Sequence, residues 1–236
     1  MNLIPVGIII DGSCILLGTI LGSLLKNYIP ERIKQPMNII FGIAAMAIGI
    51  ISLMKIYSLP ALILALLLGA LIGEIIKLEF HIKNGFSFAI HKLKFKIDEN
   101  QEEYMHFYII VAVMLCASGT NIFGAISEGV SGDFTILLSK GIMDIFAATL
   151  FASVLGWAMS LILIPQIIIL CFCFYSAQFL MPYITNNMLN DFIAIGGLLT
   201  FVLGFNIAKI KEISAANLLP SLILIWPCSL LFSYIL

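Results

Sequence analysis

The chain has 236 residues, 61% of them hydrophobic and 11% charged, with a formal net charge of −1 and a mean hydropathy of +1.13. A water-soluble domain carries roughly 25% charged residues, so these proportions exclude one, and the near-neutral balance excludes the basic footprint of a nucleic-acid-binding protein. Apolar runs long enough to cross a bilayer, roughly 17–25 residues each, recur along the whole length.

The expected fold class is all-α: a polytopic integral membrane helical bundle, one domain over 1–236, in contact with the lipid bilayer. Eight apolar segments follow in chain order, at 3–25, 36–54, 57–76, 105–127, 135–162, 164–182, 191–208 and 214–235. A membrane β-barrel would show short alternating segments, whereas these runs are continuous, and only helices satisfy their own backbone inside lipid. The start, Met1-Asn2-Leu3-Ile4-Pro5, lacks a basic leader region, so the first run is expected to remain as a helix.

Eight crossings place loops 25–36, 77–104 and 208–214 on one side. Those loops hold Lys26, Arg32, Lys34, Lys77, Lys83, Lys92, Lys94, Lys96, Lys209 and Lys211, against Lys55 and Lys140 on the other side. Cytoplasmic loops carry the excess of Lys and Arg, so the expected location is the inner (plasma) membrane with both termini extracytoplasmic. Seven crossings, the nearest alternative, divide the basic residues less cleanly.

Along the chain, Asp11 is the first chemically informative residue. A carboxylate that deep in an apolar run either takes up a proton, binds a cation or faces a partner; a neutral Asp hydrogen-bonded to a neighbouring helix is the competing reading. The pairs Gly18/Gly22 and Gly69/Gly73 have GxxxG spacing, which suits close helix packing. Within 78–104, Ile82, Phe86, Ile90 and Leu93 share one helical face and Lys83, His91, Lys92, Lys94 and Lys96 mostly take the other. That pattern predicts an amphipathic helix on the cytoplasmic surface near anionic headgroups, followed by an acidic turn over 98–103.

The fourth run is interrupted at Ser118-Gly119-Thr120-Asn121, and broken helices line binding cavities in transporters; the plainer reading is a helix that ends there. Next, Ser127-Glu128-Gly129-Val130-Ser131-Gly132-Asp133 is expected to be a Gly-rich external turn, with Glu128 and Asp133 as candidates for holding a cation at an outer mouth, where Lys140 is a further candidate residue. Lys140 and Asp144 have the spacing of an i,i+4 ion pair. Asp11 and Asp144 could nonetheless face one cavity from two helices. Asn206 and Asn217 flank the last basic turn and suit hydrogen bonding between helices. The pathway candidates are thus Asp11, Ser118, Thr120, Asn121, Asp144 and Asn206.

No metal site or cofactor is expected. The cysteines Cys14, Cys116, Cys171, Cys173 and Cys228 all lie in apolar runs and read as small buried hydrophobes. No P-loop, HExxH or GxSxG occurs, so no enzyme is expected. An internal similarity links Gly42 and Gly49 to Gly197 and Gly204, and Gly7 to Asp11 with Gly141 to Asp144, with Gly22 and Gly156 following. Internal repeats are common in transporters, but Gly- and Ile-rich helices also look alike by chance.

Several of these residues together resemble a known family. They are the glycine-punctuated first helix around Asp11, where many relatives are expected to have Asn, then Gly124 through Asp133, Leu137-Leu138-Ser139-Lys140 with Asp144, Gly196-Gly197-Leu198-Leu199 with Gly204, and Asn217-Leu218-Leu219-Pro220. In that order they resemble the bacterial YqgA-like membrane proteins, the family of domain of unknown function 554. The likeness runs over nearly the whole chain. Departures are Ser118-Gly119-Thr120 where the family has Gly-Pro-Met, and Gln166-Ile167 where Gln-Gly is expected. The resemblance implies an inner-membrane protein and supplies no substrate.

The functional expectation is a membrane transporter or channel for an ion or small solute, proton- or cation-coupled. The alternative is a non-transporting scaffold or partner subunit, with 78–104 as its docking surface. Self-association into a homo-oligomer is compatible with either. Burial of Asp11 and of the 119–121 break discriminates between them: a hydrated cavity favours transport, and dry packing favours the scaffold.

Overall fold

The computed structural model describes residues 4–26, 31–92, 101–116, 118–180 and 184–235. Its helices are α1 (Val6–Leu25), α2 (Glu31–Leu53), α3 (Leu59–Ile75), α4 (Leu78–Lys92), α5 (Gln101–Cys116), α6 (Gly119–Ser131), α7 (Thr135–Leu155), α8 (Leu163–Leu180), α9 (Asn186–Ile207) and α10 (Ser221–Ile235). Two 3-10 segments, Gly156–Ile162 and Ala215–Leu218, precede α8 and α10. Among the described residues there is no strand.

The burial pattern is that of a bundle facing lipid. Ile9, Leu17, Ile43, Ile51, Leu67, Phe146, Ile168 and Phe172 point outward, while Asp11, Asn121, Glu128, Asp144, Gln166 and Asp191 are buried. In water such an outward apolar surface would be untenable; in hydrocarbon it is the stable arrangement. By contrast α5 is enclosed by protein, with Tyr104, Met105 and every residue from Tyr108 to Val113 buried.

Glycines set the closest helix contacts. On α1, a Cβ at Gly18 would stand 2.6 Å from the Ile145 carbonyl oxygen, and one at Gly22 would stand 2.1 Å from that of Thr149. Because Gly7 meets Leu137, Gly18 meets Ala148 and Gly22 meets Ala152, α1 and α7 run in the same direction. On α2, a Cβ at Gly42 would stand 2.7 Å from the Gly204 carbonyl oxygen and one at Gly49 2.7 Å from that of Gly197, so α2 and α9 run antiparallel. Gly69 meets Ser221 and Gly73 meets Asn217, which makes α3 and α10 antiparallel as well. Both GxxxG pairs therefore lie in helix interfaces.

These directions resolve how often the chain crosses. Five runs are long and apolar enough to span a membrane, and six if α3 and α4, bent by 56°, count as one. One of the five, Thr135–Ala177, has 43 residues, about 65 Å as helix, twice the roughly 30 Å of hydrocarbon. It turns back: Gly141 approaches the Asp11 Cα and Ala152 approaches Gly22, yet Gly12 is met again by Ile167. The reversal sits at Gly156, where φ is 64 and ψ −152. With the shorter apolar stretch of α2, Ile39–Leu53, and α3 taken without α4, the described residues pass through the bundle eight times, and α4 bends away from α3. The expected boundary between the fifth and sixth runs, at 162–164, is thereby corrected to Gly156. The residues Gly156–Ile162 begin the return pass.

The carbonyls of that tight return are taken up by α5. The Tyr104 hydroxyl donates to the Leu155 carbonyl at 2.7 Å and the Tyr108 hydroxyl to that of Ala158 at 3.0 Å. Irregular backbone within a membrane protein survives where protein side chains supply the missing hydrogen bonds. The glycine correspondence of Gly22 with Gly156 does not carry over to structure, since one packs against α7 and the other makes a turn.

Three further expectations change in detail. The segment Ser127–Ser131 is the end of α6 and not a turn; the chain reverses after it at Gly132, with φ 75. Residues Gln101–Glu103 open α5 and so do not form an acidic turn, while 98–100 lie outside the described residues. On α4, Ile82 and Phe86 pack on the core and Ile90 is buried, as the amphipathic pattern predicts. Leu93, Lys94 and Lys96 lie outside the described residues, as does the side chain of His91.

Lys77 follows the end of α3 with φ 49, and its N–H donates to the Glu74 carbonyl at 3.1 Å. A left-handed residue just past a helix end is best filled by glycine, and a side chain there costs roughly 1–2 kcal/mol. Lys77→Gly is expected to raise stability by about 1 kcal/mol, seen as a higher thermal midpoint in detergent; an unchanged or lower midpoint would contradict the strain.

Candidate functional site

Three helices bring a polar cluster together in the half of the bundle near the amino end of α1. Asp11 is fully buried because Gly141 of α7 lets the helices close around it: a Cβ at Gly141 would lie 3.3 Å from the Asp11 Cα. One Asp11 oxygen, Oδ2, accepts from Gln166 Nε2 of α8 at 2.8 Å. Asp144 of α7 is 3% exposed and pairs with Lys140, one turn earlier on the same helix. The Asp144 carboxyl and the Lys140 ammonium both stand close enough to Asp11 to act on its charge, and the two carboxyls are near enough to share a proton. Cys14, one turn along α1, also lies within reach of both carboxylates.

What sets this cluster apart is an excess of acceptors. Asp11 Oδ1, Asp144 Oδ2 and Gln166 Oε1 are buried and have no donor. Asn121 Oδ1 and Glu128 Oε2, both on α6, are in the same condition. Buried acceptors without donors cost roughly 1–3 kcal/mol each, more when charged, so such a group calls for a proton, a cation or water.

A second buried carboxylate shows the opposite arrangement. Asp191, on α9, accepts from the backbone N–H groups of Tyr57 and Ser58 at 2.8 Å each through Oδ1, and from the Ser229 hydroxyl at 2.6 Å through Oδ2. It holds the amino end of α3 and ties α10 to it. Here a buried carboxylate is fully used in structure.

The sequence candidates divide accordingly. Asp11, Asp144 and Lys140 meet, although Lys140 was expected at an outer mouth. Glu128 is 2% exposed and accepts from the Gly7 N–H at 2.8 Å. Asp133 is exposed; two hydrogen bonds from Thr135 hold its carboxyl below the usual range. Glu128, Asp133 and Lys140 thus point to three different partners. At the break, α5 ends at Cys116 and α6 starts at Gly119, with Ser118 as N-cap residue making no side-chain cap bond. Asn121 is fully buried, and its Nδ2 donates to the carbonyl of Leu115 at 3.2 Å, covering one group freed by the break. Thr120 is half-buried. Asn206 lies apart: it accepts from the Ile213 N–H at 2.8 Å and donates to the Ile213 carbonyl at 2.7 Å, closing the loop after α9. Asn217 accepts from the Glu79 N–H at 2.8 Å and seats α4.

Gln166 and Asp191 were not among the sequence candidates. Each is a polar residue inside or at the edge of an apolar run, a signal that was present in the sequence. At the opposite end of the bundle, Glu74, Lys77, Glu79, Phe80, Lys83, Ser214 and Asn217 line an open cavity of about 450 Å³. His106 Nδ1 lies 4.0 Å from the Glu79 carboxyl there. Among the described residues, no three His, Cys, Asp or Glu side chains converge in a way that would hold a metal ion.

Two known proteins are similar to the chain over nearly its whole length. The chain is 42% identical over 225 residues to "Uncharacterized protein YqgA" of Escherichia coli strain K12, covering 95% of this chain and 96% of that protein. It is 27% identical over 224 residues to "Uncharacterized membrane protein YdfK" of Bacillus subtilis strain 168, covering 92% and 93% respectively. No solved structure matches. The family profile described as "Protein of unknown function (DUF554)" matches residues 6–230, and the chain therefore belongs to that family.

Proposed function

We propose that this protein moves an ion or small solute across the plasma membrane, coupled to one positive charge held between Asp11 and Asp144. The observation that carries this reading is the local charge balance. Two carboxylates face one ammonium, Lys140, inside the bundle. One negative charge is left uncompensated, with Asp11 Oδ1, Asp144 Oδ2 and Gln166 Oε1 lacking donors. A bare charge at membrane depth costs several kcal/mol, so the site is stable when it has taken up one further positive charge. Ionisable groups facing a bundle interior mark proton and ion pathways for that reason. The basic residues counted from the sequence orient the path: both termini outside, α4 at the cytoplasmic face.

The scaffold reading draws support from burial, since Asp11 and Asn121 both have 0% exposure and the site is sealed in this conformation. A sealed site is also what the occluded state of an alternating-access cycle requires. The unpartnered oxygens favour transport, because a carboxylate kept for structure is arranged as Asp191 is.

The test is flux in proteoliposomes loaded with a pH-sensitive dye, under an imposed proton gradient, across a panel of ions and small metabolites. Wild type is expected to acidify the lumen with at least one of them, and Asp11→Asn and Asp144→Asn to reduce that flux to the level of empty vesicles. Flux unaltered in both variants would remove the pair from the mechanism, and a silent wild type across the panel would favour the scaffold.

A further inference from the structure

Asp11 Oδ1 and Asp144 Oδ2 are buried acceptors without donors, and a proton needs only one such oxygen, whereas calcium takes about six to eight oxygen ligands. A single proton fits the donor set. This raises the question of how a proton reaches a site with no exposure, and Glu128 answers it.

Glu128 lies at the amino end of α1, one turn before Asp11, about 6 Å of helix rise away. Its Oε1 is fixed by the Gly7 N–H at 2.8 Å, and a helix amino terminus favours negative charge. The space for the carboxylate exists because residue 7 has no side chain: a Cβ there would stand 2.8 Å from Glu128 Oε2 and 2.9 Å from both Leu137 and Phe134. Oε2 itself is buried and has no donor. The charged residues on the helices packed around α6 are Asp11 on α1, Lys140 and Asp144 on α7, and Asp191 on α9. Next to Glu128, an apolar cluster of Ile8, Ala125 and Leu137, backed by Leu170 and Phe174, closes off this end of the bundle. Leu137 and Ala125 have 0% exposure and Ile8 2%, so the layer is dry. Apolar constrictions of this kind gate by excluding water.

We propose that Glu128 is the outer proton station of the pathway and that the Ile8–Ala125–Leu137 layer is the gate between it and the Asp11–Asp144 pair. This rests on the transport reading above. In the first step, when the end of the bundle around Gly132 opens Glu128 to water, an O–H bond of a hydronium ion breaks as one forms at Glu128 Oε2, leaving water. In the second, once the layer admits a water molecule, that water passes a proton to Asp11 Oδ1 as it receives the one on Oε2. Glu128 returns to its anion on the Gly7 N–H.

The test is time-resolved infrared spectroscopy of the full-length protein in lipid vesicles after a downward pH jump, reading carboxyl protonation. Wild type is expected to show Glu128 protonating before the pair, with the early signal absent in Glu128→Gln and the later one absent in Asp11→Asn. Uptake by the pair is expected to slow in Glu128→Gln on the order of a hundredfold, the lower end of what a positioned proton-transfer group contributes. Leu137→Ala keeps every carboxyl in place and is expected to speed uptake by thinning the gate. It decides the matter if Glu128→Gln fails to fold. An unchanged rate at a titrating pair, in Glu128→Gln or in Leu137→Ala where that variant decides, overturns the proposal for Glu128 alone. A wild type whose pair takes up no proton overturns the pair, and the relay with it.

Discussion

Gly22→Leu is expected to prevent α1 from seating on α7 and to abolish a monodisperse, folded protein. A Cβ at this position would stand 2.1 Å from the Thr149 carbonyl oxygen, 2.8 Å from the Ala152 Cβ and 2.9 Å from the Thr149 carbonyl carbon. Two of these atoms are backbone of a neighbouring helix, so no side-chain rotation relieves the clash. Overpacking that flexible side chains absorb costs about 1–3 kcal/mol; here the helices must separate instead. Because helix association in lipid rests on van der Waals packing rather than on expulsion of water, separation removes the attraction along the whole contact from Gly7 to Gly22. The loss is expected to exceed about 3 kcal/mol. Size-exclusion profiles and thermal midpoints in detergent check it, with two controls on the same scale. Gly12→Ala meets nothing closer than the flexible end of Ile167 at 3.5 Å, and Gly85→Ala meets nothing within 4 Å. Gly12→Ala should be close to neutral, and Gly85→Ala slightly stabilising, since alanine favours a helix over glycine by up to about 1 kcal/mol. A Gly22→Leu protein as stable as these controls would show that α1 and α7 do not pack as described.

The glycines also explain how much of the fold was legible in the sequence. Spacing of Gly18 with Gly22 and Gly69 with Gly73 marks a face on which another backbone can come close, and both faces are used. The spacing does not say which helix arrives or in which direction, because the partner's contribution is mainly a row of carbonyl oxygens that every residue possesses. The same ambiguity affected the internal similarity: Gly42 and Gly49 do meet Gly204 and Gly197, but as a contact between the two segments. The return at Gly156 was hidden because Leu155 to Leu163 is as apolar as a helix interior. The hydrogen bonds that permit the turn come from Tyr104 and Tyr108, about 50 residues earlier.

In the candidate site, Asp11 and Asp144 were recognisable because a carboxylate in hydrocarbon is rare, and the structure brings them together from two helices. Which other polar residue completes the cluster was not recognisable. Gln166 and Asn206 are both amides in apolar runs, yet one reaches Asp11 while the other closes a loop on Ile213. Composition carries cost, and only packing decides who meets that cost.

Asp191→Ala is therefore expected to behave unlike Asp11→Asn, although both remove a buried carboxylate with 0% exposure. Alanine at 191 leaves the N–H of Ser58 and the hydroxyl of Ser229 without their acceptor in places that are 2% exposed each. The Tyr57 N–H also loses its partner. Hydrogen bonds to a charged group are worth about 1.5–3 kcal/mol each, so the expected loss is on the order of 4 kcal/mol or more, with the amino end of α3 the first part to loosen. Asparagine at 11 keeps an oxygen to accept from Gln166 Nε2 and removes one of the two carboxylates that face each other there. Its thermal midpoint is expected to equal or exceed that of wild type, while gradient-driven flux is lost, because a residue retained for activity commonly costs stability. Thermal unfolding in detergent and proteoliposome flux, measured on the same two preparations, read both effects. If Asp11→Asn destabilises the bundle as severely as Asp191→Ala, the Asp11 carboxylate is a structural tie, and the case for a positive charge carried between α1 and α7 falls.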